Sequence, residues 1–147
     1  MAQGGGSGAD GYAGDVSSRE AWEILEREPE AALIDVRTKA EWGFVGVPDL
    51  SGLGKQALFV CWQDFPTMQV NPRFAEEVEA AGLSKEAPVL LLCRSGQRSR
   101  LAAQTLTALG YRTCYNVADG FEGGHDAQGH RGTLEGWKAA ALPWRQN

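Results

Sequence analysis

Short unbroken apolar runs alternate along this chain with stretches in which apolar residues recur every three or four positions. The runs suit strands covered on both faces, and the spaced stretches suit helices packed along one stripe. Residues 88–92, Pro-Val-Leu-Leu-Leu, are the clearest run. Residues 31–37, 56–62 and 111–117 are three more, and Gly14, Asp15 and Val16 supply a very short first strand, which brings the expected count to five.

Helical spacing occurs at Ala21, Trp22, Ile24 and Leu25, at Phe74, Val78 and Ala81, and at Leu101, Ala102, Leu106 and Leu109. Ser17 with Glu20 and Thr38 with Glu41 have the form of capping boxes, the second opening a short turn with Trp42. The first helix should end near Glu28 and Pro29, and Asn71 with Pro72 reads as an N-cap followed by proline at the first helical position. Gly82 and Gly110 supply stops, and Thr133 caps a last short helix through Trp137 to Ala141, after which Leu142, Pro143 and Trp144 pack onto the domain. Strands alternating with helices need crossover connections. The expected fold class is therefore α/β: a five-stranded, mostly parallel sheet with helices on both faces, binding its ligand beyond the carboxyl ends of the strands.

The connecting segments differ in character. Residues 43–55 are a glycine-rich connection, and residues 63–70 form a loop whose Phe65 and Met68 either wall a substrate pocket or plug a satellite core, the second slightly favoured. Residues 118–132 are glycine-rich and carry both histidines, His125 and His130. A loop of that length suits the rim of an active site or a partner surface, while the two histidines read as surface residues rather than proton carriers.

Composition adds limits. At 147 residues, with 43% hydrophobic and 22% charged, the chain has the size and balance of one domain with a substantial core. Residues 1–11, rich in glycine and serine, read as a disordered lead-in, leaving 12–147 as the domain. No apolar run approaches membrane-spanning length, and a net charge of -5 without a dense basic stripe argues against a nucleic-acid partner. Three cysteines, Cys61, Cys93 and Cys114, show no paired spacing, and no signal-like segment opens the chain, so the expected setting is cytoplasmic. Cys61 and Cys114 read as buried structural thiols. With both histidines in one glycine-rich segment, neither a metal nor another cofactor is expected.

Cys93 is different. It follows the 88–92 run and is followed by Arg94, Ser95, Gly96, Gln97, Arg98 and Ser99, a composition foreign to a core. A tight turn between strand and helix points successive N–H groups inward, and the helix N-terminus adds its dipole, so the loop is a concave anion site with the thiol at its floor. Arg94 and Arg98 add charge that favours a thiolate nucleophile and an anionic substrate. Asp35 and Arg37, at the charged end of the second run, are candidates for the edge of the site, Asp35 chiefly as an ion pair that orients an arginine or fixes the strand end.

Leu33-Ile34-Asp35-Val36-Arg37 with Glu41-Trp42, the loop from Cys93 to Ser99, and Asn116-Val117-Ala118-Asp119-Gly120-Phe121-Glu122-Gly123 together resemble the single-domain rhodanese family over residues 14–144. The resemblance implies a sulfurtransferase fold and a Cys93 that carries sulfur as a persulfide. After Trp42 the chain reads Phe44-Val45-Gly46-Val47-Pro48-Asp49, where the family often has Gly-His-Ile-Pro-Gly-Ala, and the segment after Phe121 is long. The residues suit the same chemistry without the resemblance: a thiolate takes the outer sulfur of a small anionic donor such as thiosulfate and passes it to cyanide, a thiol or a protein acceptor. Two rival classes stand beside this one. Cysteine phosphatases and arsenate reductases place an arginine six residues after the cysteine, where this chain has Ser99, and a non-catalytic or sulfur-relay binding module would use the same surface.

Overall fold

The computed structural model describes residues 11–64, 67 and 69–146, so Phe65, Met68 and all of the expected lead-in except Gly11 lie outside the described residues. Among the described residues there are nine strands: β1 (Gly14–Val16), β2 (Ala32–Asp35), β3 (Val47–Pro48), β4 (Leu58–Phe59), β5 (Gln63–Asp64), β6 (Gln69–Val70), β7 (Pro88–Leu92), β8 (Thr113–Val117) and β9 (Trp144–Arg145). Five of them form one sheet in the order β1-β8-β7-β2-β4, and every pairing in it is parallel. The remaining four make two antiparallel pairs, β3 with β9 and β5 with β6.

Period-two alternation sorts the side chains of the sheet into two cores. Ile34, Val89, Leu91 and Cys114 face one side, where they meet Phe74 and Val78 of α3 (Phe74–Ala80) and Ala102, Ala103 and Leu106 of α4 (Gln97–Ala108). Leu33, Leu90, Leu92 and Val117 face the other, against Ala21, Ile24 and Leu25 of α1 (Ser18–Arg27) and against Leu50, Phe121, Trp137 and Leu142. Each buried leucine contributes about 1.5–3 kcal/mol. Both faces being covered explains why the strands are continuous apolar runs.

The capping boxes form in full. Ser17 Oγ accepts the Glu20 N–H at 3.1 Å while Glu20 Oε1 accepts the Ser17 N–H at 2.8 Å, and Thr38 and Glu41 do the same for α2 (Lys39–Phe44). Elsewhere tertiary contacts override local signals. The 56–62 run is regular only over Leu58–Phe59, after which Val60 and Trp62 N–H groups reach the Asp35 and Val36 carbonyls individually. β8 begins at Thr113, two residues after the expected start. Asn71 does not cap α3: its Oδ1 accepts the Arg73 N–H in a turn, and the helix starts at Phe74. α4 starts at Gln97, and Leu101 and Leu109 are 44% and 41% exposed, so its buried face is narrower than the apolar spacing suggested.

The last helix does not form. Thr133 Oγ1 donates to Asp126 and the Gly136 N–H to Asp119, so both groups hold turns instead. Of the apolar end, Leu142 alone is buried; the Pro143 carbonyl accepts the Trp137 indole N–H, and the exposed Trp144 pairs with the buried Pro48. No helix of the described residues is long and apolar enough to cross a membrane.

Candidate active site

β7 delivers Cys93 to the carboxyl edge of the sheet, where the chain turns into α4 within three residues. Gly96 makes that turn at φ 99°, and a side chain there would collide with the Ala118 carbonyl. The result is a cradle around sulfur: the Gly96 N–H points to Cys93 Sγ at 3.2 Å and the Ser99 N–H at 3.3 Å, with Ser99 Oγ also at 3.2 Å. Two main-chain donors at the end of a twelve-residue helix favour negative charge on that sulfur or on an atom bonded to it. In front of the thiol lies a cavity of about 250 Å³ lined by Cys93, Arg94, Ser95, Gln97 and Arg98, together with Glu41 and Gln63.

The two arginines of the loop part company. Arg98 is half-buried and held by both Glu41 oxygens, at 2.8 and 2.9 Å. Burial alone would raise the Glu41 carboxyl, yet the hydrogen bond and charge of Arg98, with help from Thr38, bring it down from 4.5 to about 2. Burial likewise pulls Arg98 down, and the bond to Glu41 more than reverses it, so the guanidinium is raised. Arg98 is thus a bound wall of the cavity rather than a free anion hook. Arg94 is exposed and, among the described residues, its guanidinium has no hydrogen-bonding or ionic partner.

Behind the cradle runs a chain of polar groups that links α4 to β8 and β1. Asn116 Nδ2 donates to the Gly96 carbonyl at 3.1 Å and to Asp15 Oδ1 at 3.0 Å, which fixes its amide so that Oδ1 accepts from Ser99 Oγ at 2.5 Å. Asp15 also accepts from Tyr12 Oη. With its hydrogen given to Asn116, the Ser99 hydroxyl offers a lone pair to a neutral thiol, and the thiolate is left to the two N–H groups.

Asp35 and Arg37 are fully buried and do not line the cavity. Arg37 grips Asp35 through Nε and Nη2 at 2.9 and 2.6 Å, donates to the Gly46 carbonyl, and lies 4.2 Å from the centroid of the Phe121 ring. The pair ties the end of β2 to the segments after α2 and β8, a frame whose half-removal costs about 3–5 kcal/mol in buried pairs of this kind. That second segment grips the Cys93 loop directly: the Phe121 N–H donates to the Cys93 carbonyl at 2.8 Å, and the Glu122 and Gly123 N–H groups to that of Arg94. Gly120 presses so closely on the Arg94 carbonyl that no side chain fits.

Glu41, Gln63 and Asn116 stand at the site although the residue pattern did not single them out. Glu41 was read as a cap, a role it also fills, and it and Asn116 stood in the segments that carry the resemblance with no site role assigned to either. Cys114 is buried in β8, whereas Cys61 is half-exposed outside any strand and not the buried thiol expected. Among the described residues no three His, Cys, Asp or Glu side chains gather as metal ligands. Loop residues 122–131, including both histidines, border a second groove that shares Glu41 and Arg94 with the Cys93 cavity.

A family model described as the STR4 middle domain matches residues 13–147. The crystal structure of Rv0390 from M. tuberculosis superposes with a TM-score of 0.84 at 48% identity, covering 92% of this chain and 99% of that one. An uncharacterized protein of Rickettsia rickettsii, the RP600 homolog, is 38% identical over 89% of this chain and 96% of its own length. The thiosulfate sulfurtransferase GlpE of Actinobacillus pleuropneumoniae is 30% identical over 74% of this chain and 83% of its own length. With the parallel sheet and the cysteine at its carboxyl edge already in place, these matches settle the family: the chain belongs to the rhodanese-like domain proteins, a family that includes sulfurtransferases.

Proposed function

We propose that the protein is a sulfurtransferase that carries a sulfane sulfur on Cys93. The observation that carries the reading is the convergence of the Gly96 and Ser99 N–H groups on Cys93 Sγ at the floor of a cavity of about 250 Å³. In the first step the thiolate attacks the outer sulfur of a thiosulfate-like anion. A bond forms between Sγ and that sulfur, the bond from it to the sulfite sulfur breaks, and the electron pair leaves with sulfite. The persulfide is itself an anion, and the same N–H groups and the α4 dipole stabilise it. In the second step a thiophilic acceptor attacks the outer sulfur and Sγ leaves as the thiolate.

Neither step transfers a proton at the reacting atoms, which agrees with a cavity whose one lining carboxylate, Glu41, is committed to Arg98. That commitment also ties up Arg98, and Ser99 stands where cysteine phosphatases place the arginine that takes the substrate's oxygens, which disfavours phosphoryl transfer. Incubation with thiosulfate should add the mass of one sulfur atom to the peptide containing Cys93, and cyanide should remove it with formation of thiocyanate. A protein that gains no sulfur from any sulfane donor, or that hydrolyses an aryl phosphate instead, overturns the reading.

A further inference from the structure

The groove beside the Cys93 cavity has a volume of about 620 Å³ and is bounded by Glu41, Arg94, Glu122, His125, His130 and Arg131. We infer that this groove is the acceptor subsite, and that it takes a small thiol bearing carboxylate groups. The inference rests on the sulfurtransferase reading and adds to it the chemical class of the acceptor and the segment that recognises it.

Three observations support it. The groove and the cavity share Glu41 and Arg94 as walls, so a molecule in the groove can extend its thiol past Arg94 toward an outer sulfur on Cys93. Its charge is positive once its carboxylates are assigned. Glu41 is neutralised by Arg98, so against the carboxylate of Glu122 the groove sets Arg94 and Arg131, with the two exposed histidines beside them. The loop is also built to hold a shape. Asp126 accepts the Gln128 and His130 N–H groups at 2.9 Å and the Thr133 hydroxyl at 2.7 Å, while Arg131 Nη1 anchors on the Gly123 carbonyl at 2.7 Å and keeps its other donors. Cyanide, little larger than a water molecule of about 30 Å³, needs none of this space.

The transfer balances simply. The acceptor thiolate attacks the outer sulfur, the new sulfur–sulfur bond forms as the bond to Sγ breaks, and the electron pair stays on Cys93. A small-molecule persulfide and the free enzyme thiolate result, with no net redox change.

The test loads Cys93 from thiosulfate, removes the donor, and follows discharge by glutathione, by uncharged 2-mercaptoethanol and by cyanide. The combined change of His125→Ala, His130→Ala and Arg131→Gln should raise the KM for glutathione about tenfold, as loss of one charge-assisted contact does. The KM values for 2-mercaptoethanol and cyanide should not move, and restoring charge with Arg131→Lys should recover part of the loss. A second arm needs no variant: S-methylglutathione, which cannot accept sulfur, should inhibit discharge by glutathione in the unaltered protein but not discharge by cyanide. Loading without any preference between glutathione and 2-mercaptoethanol, or parallel changes for all three acceptors, overturns this inference alone. Failure of Cys93 to load overturns the sulfurtransferase reading and the inference with it.

Discussion

Cys93 and Cys114 make an instructive pair, because both belong to the same core cluster and are 1% and 0% exposed. Burial does not distinguish them. Cys114 sits within β8, in register with Val89 of β7, where the main-chain N–H groups serve the sheet, and its Sγ faces the Tyr111 carbonyl at 3.8 Å. Burial pushes its thiol up from 9.0 to about 11, against a small opposing pull from Thr107. Cys93 sits one residue beyond β7, where the ladder has ended and the first N–H groups of α4 are still free, and two N–H groups turn to its sulfur. A buried cysteine is inert or poised according to whether its neighbours' donors are already in use.

The sharpest way to break that contrast is to exchange the roles. Cys93→Ser should abolish sulfur loading and transfer together, whereas Cys114→Ala should retain both, as read by intact mass and thiocyanate formation. Sulfur found on Cys114 would sink the distinction. Next comes the hydrogen-bond chain behind Cys93. Asn116→Ala removes the acceptor of Ser99 Oγ and a donor to the Gly96 carbonyl, interactions of about 1–3 kcal/mol when buried, and should slow loading by about ten- to a hundredfold. The KM for thiosulfate should change little, since Asn116 does not line the cavity.

Charge provides a gentler contrast, because an ion pair stands at the wall of the Cys93 cavity. The Glu41 carboxyl is held at about 2 in the folded protein against an ordinary 4.5, so what it adds to stability is complete above about pH 4.5 and fades as pH falls through about 2. The melting temperature of the parent protein should exceed that of Glu41→Gln by a constant margin above pH 4.5, and the two should converge toward pH 2. A margin that persists at the acid end would show that Glu41 acts through its cap on α2 rather than through Arg98. The smallest effect is expected from Cys114→Ala on stability, about 1 kcal/mol for a small cavity, measurable by urea unfolding.

The legible parts of this chain were those whose causes are local. The 88–92 run, the arginine- and glycine-bearing turn after it and the two capping boxes are each decided within about six residues, and they placed the parallel sheet and the Cys93 cradle. What lay beyond reach came from distant partners. Arg98 looked like a free cation because Glu41 is 57 positions away. β3 and β9 are two residues each, one containing Pro48, too short for any periodicity to show. The expected helix after Thr133 had a sound start signal, but Asp126 and Asp119 compete for the groups that would have served it. Local propensity is a weak prior wherever a buried or bridging carboxylate can outbid it.

The pairing of β3 with β9 sets an order on the way the molecule is finished. Val47 and Pro48 follow closely on α2, the helix that carries Glu41, and Lys138 Nζ adds a bond to the Val45 carbonyl. During synthesis every group of the Cys93 cradle has left the ribosome by Asn116, and the grip on its carbonyls by Gly123. The strand that fastens the neighbourhood of Glu41 arrives only with Trp144 and Arg145. A nascent chain therefore completes its cradle before it has secured the wall beside it.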